Sequence, residues 1–228
     1  MRMKIGIIAA MEEEIRTLVS HLEHANKQMH HNFVFHTGSI GRHDVVLVQS
    51  GIGKVMSALA VSYLVDLFEV DAIINTGSAG AVDTTLKIGD VVVADRLAYH
   101  DVDVTAFGYA FGRWHNNHFF YESSKYFVSE LKKVIDEPHV GLITSSDSFI
   151  SSGEKVQEIK SHFPDVLAVE MEGASIAQAA HALGRPFVII RAMSDTADHD
   201  ANVKFDEFIL DAGKSSAMTL IKLLEKMV

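Results

Sequence analysis

Cysteine is absent from this chain of 228 residues, and proline and tryptophan are rare, with three prolines and one tryptophan. Without cysteine the chain has no disulfide framework and no thiolate to act as nucleophile or ligand, which fits a reducing compartment. Because no proline-rich or glycine-rich linker divides the sequence, we expect residues 1–228 to form a single domain.

Basic residues are outnumbered: 20 lysines and arginines stand against 30 aspartates and glutamates, a net charge of −10. This charge disfavours nucleic acid or an anionic membrane surface as a partner. No apolar run reaches the roughly 18 residues that a membrane-spanning helix needs. The apolar run after the basic start ends at three glutamates (12–14), and no small-residue cleavage site follows, so we expect no signal peptide and a cytoplasmic location.

The glycine-rich segments fall short of the known phosphate-binding motifs. Residues 51–54 read Gly-Ile-Gly-Lys, but Val55 follows the lysine where a P-loop needs Ser or Thr. Met56 stands where a dinucleotide-binding fingerprint needs its third glycine. In residues 76–80, Thr76 replaces the first glycine of a nucleophile elbow. We interpret both segments as strand ends whose backbone turns tightly and approaches a ligand closely.

Metal ligation is also poorly supported, because the chain has no H-E-x-x-H motif. His100 lies near Asp101 and Asp103, and His199 lies between two aspartates, but neither set has a recognisable ligand spacing. We interpret both histidines as solvated loop residues and expect no metal.

Strand-like and helix-like segments alternate along the chain. Apolar runs predict strands at residues 4–9, 33–38, 44–50, 71–76, 91–94, 140–145, 166–170 and 187–192. Helical periodicity predicts helices at residues 12–22, 55–68, 123–134, 153–162, 173–183 and 205–227. This alternation is typical of an α/β fold with a mostly parallel sheet covered on both faces. A predicted hairpin at 33–50 makes the central sheet mixed.

Two carboxylates stand at the junction of a predicted strand and a predicted helix. The apolar residues 166–169 run directly into Glu170 and, two residues later, Glu172. At the carboxyl edge of a sheet, an acidic residue lies where α/β folds bind ligands, although it can equally serve only to cap the helix. Helical spacing aligns Glu172 with Ile176 and Ala180 on the buried face, so we expect this carboxylate to point inward.

Three adjacent glutamates follow the first predicted strand, and on a helix their directions differ by about 100°. Glu12 aligns with Arg16 as an exposed pair. Glu14 aligns with Leu18 and Leu22 on the face that the helix buries, so only Glu14 is placed to face a cleft. The competing interpretation is that the glutamates merely satisfy the partial positive charge at the helix start.

The predicted strand at 187–192 contains Arg191 among apolar residues and runs out into Ser194 and Asp195. A buried arginine is costly unless an anion or a buried carboxylate pairs with it. We therefore expect a carboxylate or an anionic ligand beside Arg191, and a ligand-facing acid at Asp195.

Taken together, these segments resemble the bacterial 5′-methylthioadenosine/S-adenosylhomocysteine nucleosidases. The matching residues span essentially the whole chain in the family's order: 5–14, 50–54, 74–80, 100–109, 169–172, 191–195 and 205–208. The resemblance implies a nucleoside phosphorylase-like fold, normally a homodimer. It also implies hydrolysis of the N-glycosidic bond of 5′-thio-substituted adenosines to adenine and a thioribose, in methionine salvage, with adenine nucleosides as partners and without metal or cofactor.

The resemblance also implies catalytic roles. Asp195 would protonate N7 of the leaving adenine, which requires a carboxylic acid that stays protonated near neutral pH in a dry pocket. Glu14 would activate the attacking water, flanked by Ser78 and Arg191. Glu172 would accept hydrogen bonds from the ribose hydroxyls and lie near the positive charge that develops on the sugar.

Binding roles carry over in the same way. Phe149 would stack on adenine, and the backbone of Ile150 would read its Watson–Crick edge. Met171 would pack against the ribose, and Phe205 and Ile52 would line the pocket for the 5′ substituent. A last set would reach across from the partner subunit to cover this substituent: Val104, Phe107 and Tyr109.

The sequence fits two other functions less well than hydrolysis. A phosphorylase must bind a phosphate dianion, but the glutamates at 12–14 would repel it, and the strand ending at Asn75 offers no arginine. A non-catalytic nucleoside-binding protein would have little need of three buried acids. A menaquinone-pathway relative acting on an aminodeoxyfutalosine-like nucleoside stays open. The preferred 5′ group (methylthio, homocysteinyl or unsubstituted) also stays open. The pocket for this group depends on the loop at 113–118, which differs from that of the best-known members.

Overall fold

The computed structural model describes residues 2–114, 118–197 and 200–227. The described strands are β1 (Lys4–Ala9), β2 (Glu23–His30), β3 (Phe33–Ile40), β4 (His43–Gln49), β5 (Ala72–Ala81), β6 (Val91–Tyr99), β7 (Tyr121–Glu122), β8 (His139–Ser145), β9 (Val166–Glu170) and β10 (Phe187–Asp195). The described helices are α1 (Glu12–Ser20), α2 (Lys54–Asp66), α3 (Lys125–Lys132), α4 (Gly153–His162), α5 (Gly173–Ala182) and α6 (Ala201–Lys226), with a 3₁₀ turn at Thr105–Phe107. None of these helices is long and apolar enough to cross a membrane.

The ten described strands form one mixed sheet. β1 pairs in parallel with β4 on one side and β5 on the other, and β5 pairs in parallel with β10. Beyond β5 the sheet closes on itself, because β10, β6, β8 and β9 pair in that order and β9 returns to β5. The carboxyl ends of β1, β5 and β10 therefore emerge at one edge, and the end of β9 lies beside Gly80 of β5.

Helices cover both faces of this sheet. α2 and α5 pack on one face, where Leu64 and Ile176 are fully buried. α1, α3 and α6 pack on the other face, around Leu18, Phe127 and Leu220. α4 contributes Ile159 to a smaller apolar cluster. The large apolar area removed from water on both faces holds the strand ends in place and so fixes the geometry of the edge at which they converge.

The predicted α/β class with a mixed sheet flanked by helices is confirmed, and each predicted helix is present with ends that differ by a few residues. The prediction misses β2, because its residues are polar and mostly exposed, as on an edge strand, and it misses the short β7. It ends β6 too early, at residue 94 and not at Tyr99, and it also ends β5 and β10 too early. These strands continue through small and polar residues, so Ser78 and Asp195 lie within strands and not in the loops after them.

Candidate active site

A cavity of about 390 Å³ lies at the carboxyl edge of the sheet, where β1, β5, β9 and β10 end. Residues at the N-terminal ends of α1 and α6 complete its wall. The predicted site residues that line it are Glu14, Ile52, Ser78, Phe149, Ile150, Met171, Glu172, Arg191, Asp195 and Phe205. The fold thus brings together side chains that are far apart in the sequence.

Glu14 is held by four hydrogen bonds at the start of α1. Its Oε2 accepts from the backbone amides of Ala10 (2.9 Å) and Met11 (3.2 Å), and its Oε1 accepts from the amide (2.9 Å) and hydroxyl (3.0 Å) of Ser78. Glu14 is only 1% exposed, whereas Glu12 lies in an exposed ion pair. The predicted directions of the two side chains are confirmed.

Glu14 and Arg191 both approach β5 at Gly77, on the side where a side chain would stand. A Cβ atom at Gly77 would lie 2.7 Å from Glu14 Oε1 and closer still to Nη1 of Arg191. Glycine is therefore required here, because a side chain would displace both charged groups from the strand. The predicted tight turn at residues 76–80 is wrong, because this segment lies within the extended strand β5. Gly77 instead lets two side chains of the protein approach the backbone closely.

Arg191 lies fully buried within β10, and its charge is paired with carboxylates, as expected. Nη2 donates to Glu170, to Glu172 Oε2 at 3.3 Å and to Asn75 Oδ1 at 2.7 Å. Nη1 donates to the carbonyl of Ser78 at 3.2 Å. Burial opposes the positive charge, but the neighbouring carboxylates raise the pKa of Arg191 above its usual value, so the guanidinium stays charged.

Glu170 is a site residue for which the sequence leaves two roles open, facing a ligand or capping a helix. Its Oε2 accepts from the amides of Glu172 (3.0 Å) and Gly173 (2.7 Å), and its Oε1 accepts from the hydroxyl of Ser145. Glu170 therefore caps the start of α5 and neutralises Arg191 at the same time. The sequence carried half of this signal, because an arginine in an apolar strand requires a buried acid or an anion, but only the strand pairing brings Glu170 beside Arg191.

Glu172 directly precedes α5 and is buried, as its spacing predicts. Its Oε1 accepts from the amide of Gly53 at 2.8 Å, and its Oε2 accepts from Arg191. Burial raises the pKa of the Glu172 carboxyl to about 7. The charge of Arg191 and the Gly53 amide oppose this shift, whereas the neighbouring Glu170 carboxylate adds to it.

Asp195 is buried at the end of β10. Its Oδ2 accepts from the hydroxyl of Ser194 at 2.9 Å, and its Oδ1 accepts from the amide of Ala197 at 2.8 Å. A Cβ atom at Gly80 of β5 would lie 2.8 Å from Asp195 Oδ1. The missing side chain at Gly80 therefore leaves room for this carboxyl in the cavity wall.

Large apolar side chains lie around the opening of the cavity. Ile52 and Phe149 are 55% and 44% exposed, although neither is polar. Phe149 and Phe205 meet edge to face, with ring centroids 5.6 Å apart. Exposed aromatic and aliphatic groups beside a few converging polar side chains are typical of a small-molecule site.

Three predicted residues lie apart from this cavity: Val104, Phe107 and Tyr109. They are found in and around the 3₁₀ turn that follows β6, and Phe107 is 78% exposed. Their assignment to a partner subunit's site stays a prediction.

The interpretation of His100 as solvated is wrong. His100 is only 7% exposed, and its Nδ1 lies 2.9 Å from the hydroxyl oxygen of Thr144. Burial lowers the pKa of His100 to about 4. His199 lies outside the described residues. Among the residues that the structure describes, no three His, Cys, Asp or Glu side chains are grouped so that they could hold a metal ion.

The family model described as "Phosphorylase superfamily" matches residues 4–228. The 5′-methylthioadenosine/S-adenosylhomocysteine nucleosidase of Exiguobacterium sp. is 45% identical over 232 residues, covering 98% of this chain and 100% of the relative. The chain belongs to this nucleosidase family. The resemblance inferred from the sequence is therefore confirmed.

Solved structures of the family have the same fold. The Streptococcus pneumoniae MTA/SAH nucleosidase in complex with 8-aminoadenine is 57% identical, with a TM-score of 0.97, and the match covers 99% of this chain and 100% of that chain. The Streptococcus pyogenes S-adenosylhomocysteine nucleosidase in complex with 5-methylthiotubericidin is 54% identical, with a TM-score of 0.97 and coverage of 99% and 98%. The predicted nucleoside phosphorylase-like fold is confirmed.

Proposed function

We propose that this chain hydrolyses the N-glycosidic bond of 5′-methylthioadenosine and S-adenosylhomocysteine, giving adenine and the corresponding thioribose. The observation that carries the proposal is the convergence of Glu14, Glu172 and Asp195 on one cavity. Cleavage of a nucleoside by water needs an acid for the leaving base, a base for the water and negative charge near the sugar. The reaction serves methionine salvage and S-adenosylmethionine recycling, in the cytoplasm.

Asp195 is assigned to protonate N7 of adenine as the C1′–N9 bond breaks. Adenine leaves poorly as an anion, so a proton delivered to N7 lowers the barrier. In support, the carboxyl is buried in the cavity wall and is oriented by Ser194 and Ala197. A positioned acid typically contributes roughly 10²–10⁴-fold in rate, or about 3–5 kcal/mol.

Glu14 is assigned to activate the attacking water. Its four donors fix the carboxylate, and two of them come from Ser78. The hydroxyl of Ser78 can rotate to bind the water, which frees a lone pair of Glu14 Oε1 to receive the water's proton. Arg191 lies on the same side of Gly77 as Glu14 and supplies fixed positive charge beside this arrangement.

Glu172 is assigned to the ribose. Its ionised form accepts hydrogen bonds from sugar hydroxyls and stabilises the oxocarbenium-like charge in the transition state. In support, the amide of Gly53 and the guanidinium of Arg191 both donate to this carboxylate from within the protein. These two donors orient it before substrate arrives.

The apolar residues of the cavity are assigned to the base and the 5′ substituent. Phe149 stacks on adenine, and the backbone of Ile150 binds its Watson–Crick edge. Met171 packs on the ribose, and Phe205 and Ile52 line the pocket for the 5′ group. The exposure of Phe149 and Ile52 supports this assignment, because a bound nucleoside would cover apolar surface that now faces solvent.

A homodimer is part of the proposal. Val104, Phe107 and Tyr109 would cover the 5′ substituent bound in the partner's cavity. In support, these residues do not line the cavity of their own chain, and Phe107 projects from a turn with most of its ring exposed. An exposed phenylalanine is the kind of side chain that a subunit contact buries.

Water is favoured over phosphate as the nucleophile. The cavity-lining carboxylates are those of Glu14, Glu170, Glu172, Asp195 and Asp206. The lining cation Arg191 is already paired with two of them. A phosphate dianion would be repelled by this set, whereas a neutral nucleoside is tolerated. Because carboxylates supply both the acid and the base, the proposal includes no metal or cofactor.

Reaction of 5′-methylthioadenosine in ¹⁸O-labelled water tests this proposal. We expect free methylthioribose that carries one labelled oxygen at C1′ when it is analysed early in the reaction by mass spectrometry. Methylthioribose incubated alone controls for exchange at the anomeric carbon. A sugar 1-phosphate would contradict hydrolysis, and nucleoside binding without turnover would indicate a binding protein. Parallel kcat/KM values for S-adenosylhomocysteine, 5′-deoxyadenosine and aminodeoxyfutalosine rank the 5′ groups.

A further inference from the structure

The amide of Gly53 donates to the carboxylate of Glu172 at 2.8 Å, and Gly53 is the residue directly before α2, where the first amides of the helix have no partner within it. The backbone of Gly53 is left-handed, with φ of 95°, a conformation that glycine adopts easily and other residues rarely do. The carbonyl of Gly53 accepts the first helical hydrogen bond from the Ser57 amide at 3.2 Å, but the amide of Lys54 needs an acceptor outside the helix if the backbone at Gly53 is to keep one conformation.

On one side, the backbone at Gly53 is held by Asp147, which does not line the cavity. Oδ1 of Asp147 accepts from the amide of Lys54, the residue after Gly53, at 2.9 Å. The ammonium group of Lys54 lies 2.7 Å from Asp101 Oδ2 and 3.5 Å from Asp147 Oδ2. The amide of Asp147 donates to Asp101 Oδ2 at 3.1 Å, which closes the network.

On the other side, two buried hydroxyls lie between the carbonyl of Gly53 and the carbonyl of Glu172. The hydroxyl of Ser57 lies 2.9 Å from the Gly53 carbonyl and 2.7 Å from the hydroxyl of Ser175. Ser175 in turn donates to the carbonyl of Glu172 at 2.7 Å. The two hydroxyl protons serve three contacts, so two of the three are hydrogen bonds at any time. The serines thus fill the space between Gly53 and Glu172, whereas the amide of Lys54 depends on Asp147.

We propose that Asp147 is a positioning residue for the nucleosidase reaction: by binding the Lys54 amide, it keeps the Gly53 amide on Glu172. The inference rests on the proposed role of Glu172 at the ribose. Asp147 acts without touching the cavity, and its acceptor oxygen matters more than its negative charge.

The effect of Asp147 on Glu172 can be separated from that of other groups. The charged groups with the largest effect on Glu172 are Arg191 on β10, Glu170 on β9 and Glu14 on α1, and Asp195 and Asp206 line the same cavity. Substitution of Asp147 leaves all of them in place. The Gly53 amide lowers the pKa of Glu172, so loss of that donor raises the pKa further.

The kinetic test compares Asp147→Ala with Asp147→Asn, which keeps an acceptor oxygen. For D147A we expect the acid limb of the kcat/KM profile to move up by about one pH unit, because a carboxylate loses one donor. Activity should fall roughly fivefold near pH 7 and recover near pH 9, and D147N should restore most of it. Asp165→Ala, which removes an exposed acid from an ion pair with Arg96, is the control.

An equal loss at every pH would indicate a general structural defect and overturn the inference, as would an unmoved acid limb or a D147N variant as impaired as D147A. A ligand-free measurement keeps the test independent of the proposed function. ¹³C NMR of glutamate side-chain carboxyls, assigned with Glu172→Gln, reports the titration of Glu172 directly. We expect a higher midpoint in D147A than in wild type; an unchanged midpoint overturns the inference even in an enzyme that releases no adenine.

Discussion

Glu14 and Ser78 are joined by two hydrogen bonds, because the amide and the hydroxyl of Ser78 both donate to Glu14 Oε1, at 2.9 and 3.0 Å. Glu14 lies in the first turn of α1 and Ser78 lies within β5. The proposed base is therefore fixed between two packed elements and not carried on a mobile loop. This rigidity lets the role of each carboxyl be tested with nearly isosteric amides.

Glu14→Gln should fold normally and lose most turnover. An amide in place of the carboxylate cannot take a proton from water, so we expect kcat for adenine release to fall by roughly 10²–10⁴-fold. The neighbouring Glu12→Gln, on the exposed face of α1, should keep wild-type turnover. Thermal melting followed by circular dichroism establishes that both variants are folded. Near-wild-type turnover of E14Q would show that Glu14 is not the base.

Asp195→Asn removes the proposed proton donor while keeping the shape of the side chain. We expect a loss of roughly 10²–10⁴-fold in kcat, with nucleoside binding largely retained, because the acid acts on the leaving base in the transition state. Asp211→Asn, at an exposed position on α6, is the matched control. Stopped-flow adenine release and equilibrium binding separate the two effects. A variant that binds poorly but turns over normally would contradict the assignment.

Spacing arguments predicted the direction of Glu14 and Glu172, because a helix that packs on a sheet must bury one stripe of residues. Sequence spacing does not show the hydrogen-bond network around these two carboxylates. Glu170 cannot be distinguished from an ordinary helix cap without knowing that β9 and β10 lie in the same sheet, both next to β5. The edge strand β2 carries no apolar alternation, so its pairing with β3 becomes visible only in three dimensions.

Arg191→Met should destabilise the fold strongly. The substitution leaves the carboxylate of Glu170 buried without its counter-charge, which typically costs about 3–5 kcal/mol. Arg16→Met removes an exposed pair with Glu12 and should cost about 1 kcal/mol or less. Urea denaturation at one pH measures both free energies of unfolding. Similar losses in the two variants would show that the buried pair is not required for stability.

The raised pKa of Glu172 predicts an acid limb in the activity profile. Burial raises this pKa to about 7, and the proposed role at the ribose requires the ionised form, so kcat/KM should rise with pH through about 7. Glu172→Gln should lose activity and lose this limb. The range from pH 6 to 8 extends roughly one pH unit on either side of this pKa. A wild-type kcat/KM that does not change over this range would contradict the assignment.

The same shift affects stability with a definite sign. Native Glu172 holds its proton up to about pH 7, whereas the unfolded chain releases it near 4.5, so the native state binds more protons between these values. This contribution to stability is complete below about pH 4.5 and is lost as the pH rises through about 7. Free energies of unfolding of wild type and E172Q, measured across this range, should therefore diverge. Parallel curves would argue against the raised pKa.

Phe107→Asp tests the proposed subunit contact. A charge at this position should weaken self-association and raise KM for 5′-methylthioadenosine, because the loop would no longer cover the partner's 5′ group. Tyr126→Asp, at an exposed aromatic position on α3, is the control. Sedimentation equilibrium gives the oligomeric state. An F107D variant with unchanged mass and KM would place this loop outside the site.

Adenine release from 5′-methylthioadenosine, followed in phosphate-free buffer and again with phosphate added, tests the central claim most directly. The arrangement of Glu14, Glu172 and Asp195 predicts rapid release without phosphate, no acceleration when phosphate is added, and free methylthioribose as the second product. Release that depends on phosphate would identify a phosphorylase and contradict the assignment of Glu14 to water.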